Sequence, residues 1–174
     1  MKFKDLLKLK SGDDLTLRVE TLKQAVPNTP LDVIEQFYSD HGLNSEFQSQ
    51  YAILDINNLI WSLESLEART LILASVYNDF NSWFTTCSEK SKRVGVEGDY
   101  SLIHNLDSVS SYWKENKTWN RPPIFLAPEV LSNTKGFHLV EGHSRLGALK
   151  GLVDGNVLSG STKHMAWIGR YTHA

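Results

Sequence analysis

The sequence contains a single cysteine, Cys87, and no apolar run near the roughly 18 residues that a membrane-spanning helix needs. One cysteine excludes an internal disulfide and any cysteine-rich zinc site. No internal repeat or low-complexity tract is visible. With 41% hydrophobic and 22% charged residues, the composition excludes a disordered, collagen-like or membrane-embedded chain. The first residues, MKFKDLLKLKSGDD, lack the apolar stretch of a secretory signal, so a cytoplasmic location is expected.

Positive charge is also missing from one long stretch. Between Gln24 and Ala68 there is no Lys or Arg, whereas Asp32, Glu35, Asp40, Glu46, Asp55, Glu64 and Glu67 all fall there. From Lys135 onward the balance reverses. Lys135, Arg145, Lys150, Lys163 and Arg170 face only Glu141 and Asp154, with four of the six histidines. The overall charge of −2 is therefore −5 before Lys135 and +3 after it. Such polarity points to an anion site near the C-terminus and an acidic face elsewhere. It argues against a wholly basic surface that coats nucleic acid.

The 174 residues suffice for one domain, or one domain with an extension. The front half reads as helical. Thr29-Pro30 starts a helix that carries Leu31, Ile34, Phe37 and Tyr38 to His41-Gly42. Tyr51 to Trp61 reads as a short strand and then a turn around Asp55 to Asn58. A long helix is expected from Ser62, with Leu66, Leu73, Val76, Phe80 and Phe84 as its apolar stripe. Another is expected from Tyr100 to Lys114. After Trp119 the pattern changes. Ile124–Ala127 and Phe137–Val140 read as strands joined by a turn at residues 132–136. A helix over Leu146–Val153 and a last strand over His164–Ile168 follow. The fold class is α+β.

The chemistry concentrates in FHLVEGHSRLGALK, residues 137–150. A strand runs into a glycine turn that opens a helix. The first N–H groups of a helix lack partners within it, and its dipole is positive there. Gly142 lets a ligand approach the backbone. Arg145 supplies a forked cation, and Ser144 and His143 add donors. Residues of these types suit phosphate. Glu141 has the chemistry to bind a metal or a sugar hydroxyl, or to act as a base. The same residues also fit a tight structural turn with Arg145 in a salt bridge.

Other candidates are weaker. Gly155–Gly160 carries the glycines of a P-loop, but Ser161 stands where lysine is needed. His138 and His143 show no zinc-type spacing and read as structural. Trp83, Trp113 and Trp167 read as core, whereas Trp119, beside Lys117 and Arg121, suits either a loop anchor or a stacking surface.

Pro122-Pro123-Ile124, the hairpin, and then L-V-E-G-H-S-R-L-G-A-L-K over Leu139–Lys150 resemble the ParB/sulfiredoxin-like superfamily. That family places an apolar strand before an acidic or small residue, Gly, two variable residues, Arg and a helix. The resemblance covers about Arg121 to Ile168. It implies a small mixed sheet with flanking helices over residues 51–174, a helical insertion at about 62–118, and a helical N-terminal extension over 1–50. It implies a nucleotide ligand, with Gly142, His143, Ser144 and Arg145 as the phosphate contacts. A nucleoside triphosphate with Mg²⁺ bridging its phosphates is the cofactor it suggests. His143 and Glu141 are the candidate catalytic residues for hydrolysis of nucleotide or nucleic acid. No metal ligand set is assigned within the chain.

Departures narrow this. Sulfiredoxins carry a catalytic Cys where His143 stands, so their reaction is not expected. Partition proteins continue into a helix-turn-helix after this domain, and this sequence ends at Ala174, so chromosome partition is not expected either. The alternative is a non-enzymatic immunity, antitoxin or plasmid- or phage-type regulatory protein. It would bind a basic protein partner through the acidic N-terminal half, at residues such as Asp32 and Glu35. Neither reading involves a membrane.

Overall fold

A computed structural model describes residues 1–131 and 135–171. Part of the expected turn at 132–136 lies outside the described residues, as does His173. The described chain is α+β. Its helices are α1 (Val19–Ala25), α2 (Leu31–Val33), α3 (Ser45–Tyr51), α4 (Ala68–Leu71), α5 (Asn78–Lys92), α6 (Val94–Glu97), α7 (Asp107–Asn116) and α8 (His143–Asp154). A 3-10 turn spans Phe3–Leu9, and α2 continues as a π-helical stretch, Ile34–Ser39. The strands β1 (Leu59–Glu67), β2 (Ile124–Leu126), β3 (His138–Glu141) and β4 (Lys163–Tyr171) form one sheet in the order β1-β4-β2-β3.

The chain divides into two compact units. One holds Met1–Ser62 and the chain from Gly169; the other holds Leu63–Ile168. This division falls after Ser62, later than the expected one after Gln50. The first unit is built around aromatic rings. Phe3 stacks on Phe37 at 4.9 Å, and Tyr51 meets Phe37 edge-on at 5.5 Å. Asn44 caps α3 by accepting from Glu46 N at 2.8 Å and Phe47 N at 3.2 Å.

Three expected elements are corrected here. Tyr51 ends a helix rather than opening a strand, and the strand comes after the turn at Asp55–Asn58. The long helix from Ser62 is replaced by β1, the short α4 and then α5. Leu59 and Trp61 are buried while Ile60 between them is exposed, which is the alternation of a strand. Leu66 and Leu73 happened to fall at helical spacing from Phe80 and Phe84, and only those last two lie on α5. The expected helix at Tyr100–Lys114 also breaks. Tyr100–Leu102 is a 3-10 turn capped by Asp99, and α7 starts only at Asp107.

In the second unit β2 and β3 form the expected antiparallel pair. Phe125 is opposite Leu139 and Leu126 opposite His138, with a bulge next to Ile124. Trp167 N–H donates to Pro123 C=O at 2.9 Å, next to β2. Helices α5 and α8 run parallel in close contact. A Cβ on Gly147 would come within 2.8 Å of Cys87 Cβ, and one on Gly151 within 2.7 Å of Ser91 Cβ. Glycine on α8 against Cys87, Ser88 and Ser91 on α5 thus sets how near the two backbones come. That parallel packing puts the start of α5 beside the start of α8.

Candidate functional site

The site lies where β3 ends and α8 begins. Gly142, between them, has φ +105°, a conformation that strains any residue with a Cβ. Space forbids one as well, since a Cβ there would lie 2.5 Å from Pro123 Cβ. Lacking a side chain, Gly142 cannot itself cap α8. Leu146 N–H closes the first helical turn on Gly142 C=O at 2.8 Å.

Arg145 folds back over this turn. Its Nη2 donates to Glu141 Oε1 at 3.0 Å, and its Nη1 donates to Arg121 C=O at 2.9 Å. Both partners of the Glu141–Arg145 pair are mostly covered, with side chains 25% and 19% exposed. The guanidinium is thus oriented by groups on both sides of the hairpin. Ser144 Oγ accepts from Trp83 Nε1 at 2.9 Å. The buried His143 ring packs against Phe80 at 4.6 Å.

These residues line one cavity of about 160 Å³. Glu141, Gly142, His143, Ser144 and Arg145 make its polar side, and Phe80 and Trp83 make its aromatic side. Every site residue picked from the sequence therefore falls at one place. The structural salt bridge of Arg145, which the sequence left open, is present as well. Sequence reasoning missed Phe80 and Trp83. Trp83 was expected in the core and is 55% exposed. The apolar pattern around it suggested burial, but its indole lines the open cavity beside the first turn of α8.

Two buried histidines lie elsewhere in this unit. His138 Nδ1 is 2.8 Å from Ser75 Oγ, and Tyr77 meets the ring edge-on at 4.5 Å. Burial, and secondarily the nearby His143, pushes its pKa down to about 4. His164 lies between two hydroxyls, Thr118 Oγ1 at 2.9 Å and Thr162 Oγ1 at 3.0 Å. Burial pushes it down to about 4 too. Among the described residues, no three His, Cys, Asp or Glu side chains gather to hold a metal ion.

The remaining candidates resolve as follows. Gly155 ends α8, and the next element after Gly160 is β4, so no helix follows the P-loop-like glycines. Trp119 is an anchor rather than a stacking surface. It is 5% exposed, donates from Nε1 to Met165 C=O at 2.7 Å and meets Trp113 edge-on at 5.9 Å. In the acidic stretch, Asp32 and Glu35 are half-buried and Asp40 and Glu46 exposed. Asp55 lies 3.7 Å from the N-terminal ammonium, and Glu67 pairs with Arg69 at 2.5 Å.

No family model matches the chain, and no curated protein or solved structure matches it significantly. No helix among the described residues is long and apolar enough to cross a membrane.

Proposed function

We propose that the second unit is a phosphate-binding domain of the ParB/sulfiredoxin-like type and that its ligand is a nucleotide. One observation carries the reading: Gly142, Ser144 and Arg145 line a single small cavity at the start of a twelve-residue helix. The helix start contributes backbone N–H groups and the positive end of its dipole. Arg145 contributes a fork already aimed by Glu141 and Arg121. The order of elements also supports the family reading. A hairpin leads through the glycine turn into α8 and on to β4, which returns beside β2.

Arg145 is engaged by Glu141 before any ligand arrives. A phosphate entering the cavity competes with that carboxylate for the guanidinium, so binding involves an exchange of partners. Of the residues lining the cavity, Glu141 alone is a carboxylate. Mg²⁺ arriving with a triphosphate would thus be held by phosphates and water, with Glu141 as its one protein ligand. His143 and Glu141 are the groups next to the phosphate from which hydrolysis would be driven.

Thermal shift with ATP, CTP and GTP, each with and without Mg²⁺, tests the reading. A ligand that binds only the folded state raises its stability. A concentration-dependent rise is expected for wild type, and a much smaller one for Arg145→Lys, which keeps the charge and loses the fork. Absence of a shift with every nucleotide would remove the proposal.

A further inference from the structure

We infer that Trp83 is the stacking surface for the planar base of the ligand, so that the site selects nucleotides over other phosphate compounds. This rests on the phosphate-binding reading above. A cavity of about 160 Å³ is smaller than the roughly 300 Å³ of pockets that engulf whole ligands. It has room for a phosphate group and not for a nucleotide. The rest of the molecule must therefore lie at the rim. The rim on the α5 side is aromatic, formed by Phe80 and Trp83. The two rings differ in availability. Phe80 is half-buried and occupied by the His143 ring. Trp83 is 55% exposed, an unusual state for the largest apolar side chain.

Trp83 is also held in place. Its Nε1–H···Oγ bond to Ser144 ties the edge of the indole to the first turn of α8. An exposed tryptophan fixed beside an anion site presents a preorganised flat surface, so stacking costs little ordering on the protein side. A base has a π-face whatever its identity, which makes this contact tolerant of sequence and selective for nucleotides as a class. Inorganic phosphate and sugar phosphates have nothing to place there.

Calorimetric titration with ribose 5-phosphate, AMP and CMP separates the contributions, because the three share the sugar phosphate. Wild type should bind the two nucleotides about tenfold more tightly than ribose 5-phosphate, the size expected of one base stacked on an aromatic ring. Trp83→Ala should bring the affinities for the nucleotides and for ribose 5-phosphate to within about twofold of each other. Trp83→Phe should restore most of the difference, while losing the tryptophan fluorescence quenching that AMP is expected to cause in wild type. Equal affinity of wild type for AMP and ribose 5-phosphate would overturn the inference, as would equal loss of both in Trp83→Ala. Failure of all three compounds to bind would instead remove the phosphate reading beneath it.

Discussion

Glu141, the last residue of β3, grips Arg145 in the first turn of α8 through a 3.0 Å ion pair that arches over Gly142. The same arginine is thus both a staple for the turn and the main cation of the cavity. Glu141→Gln separates these roles. Stability should fall by about 0.5–1.5 kcal/mol, since a mostly covered charge pair becomes a neutral hydrogen bond. Affinity for AMP without Mg²⁺ should rise severalfold, because the carboxylate no longer competes for the guanidinium. Urea denaturation and calorimetry measure the two effects on one protein. A fall in affinity would mean that Glu141 aims Arg145 more than it competes for it.

Gly142→Ala should be among the most damaging single-methyl additions in the chain. The backbone is at φ +105° and the new Cβ would lie 2.5 Å from Pro123 Cβ. Left-handed strain and overpacking together suggest a loss of about 2–4 kcal/mol. Thermal melting checks this, and a melting temperature unchanged from wild type would contradict it.

Gly151→Ala tests the approach of the two parallel helices. In an isolated helix the change stabilises by roughly 1 kcal/mol. Here a Cβ runs into the backbone of Ser88 and lies 2.7 Å from Ser91 Cβ. The contact outweighs the propensity, so net destabilisation of about 1–2 kcal/mol is expected, read by the same melt.

The histidine contribution to stability should be flat above pH 6.5 and decline below it. His138 and His164 both have folded pKa values pushed down to about 4, below the ordinary 6.5. Between these values the unfolded chain takes up protons that the folded one refuses, so acid favours unfolding. The contribution is complete above 6.5 and is lost as pH falls through the window toward 4. Each histidine accounts for on the order of 2–3 kcal/mol across that window. Replacing His164 with Gln should flatten the decline measured by chemical denaturation at a series of pH values. An unchanged slope would show that His164 is not held neutral.

The rear of the chain was legible because its elements are local. The apolar runs at Ile124 and Phe137, the glycine at 142 and the small helical positions after Arg145 each mark one element directly. The site residues followed because they are neighbours in sequence. The middle was not legible. Strand β1 begins with three consecutive bulky residues, Leu59-Ile60-Trp61, that fit a helix as well as a strand, and its partner β4 lies about a hundred residues further on. Trp83 escaped for a similar reason. Its place at the cavity depends on contact with Ser144, 61 residues further along the chain.

The route of the backbone between the two units has a practical result. The chain leaves the first unit after Ser62 and re-enters it at Gly169. Within that unit Arg170 Nη1 donates to Ser62 Oγ at 3.3 Å, and the Tyr171 hydroxyl accepts from Asp55 N–H at 3.2 Å. Residues from Gly169 on thus belong to the fold of the first unit. Deleting the segment from Gly169 on, or pulling it away in a fusion, would injure that unit first. The cavity at the start of α8, although much closer in sequence to the cut, would lose none of its lining residues.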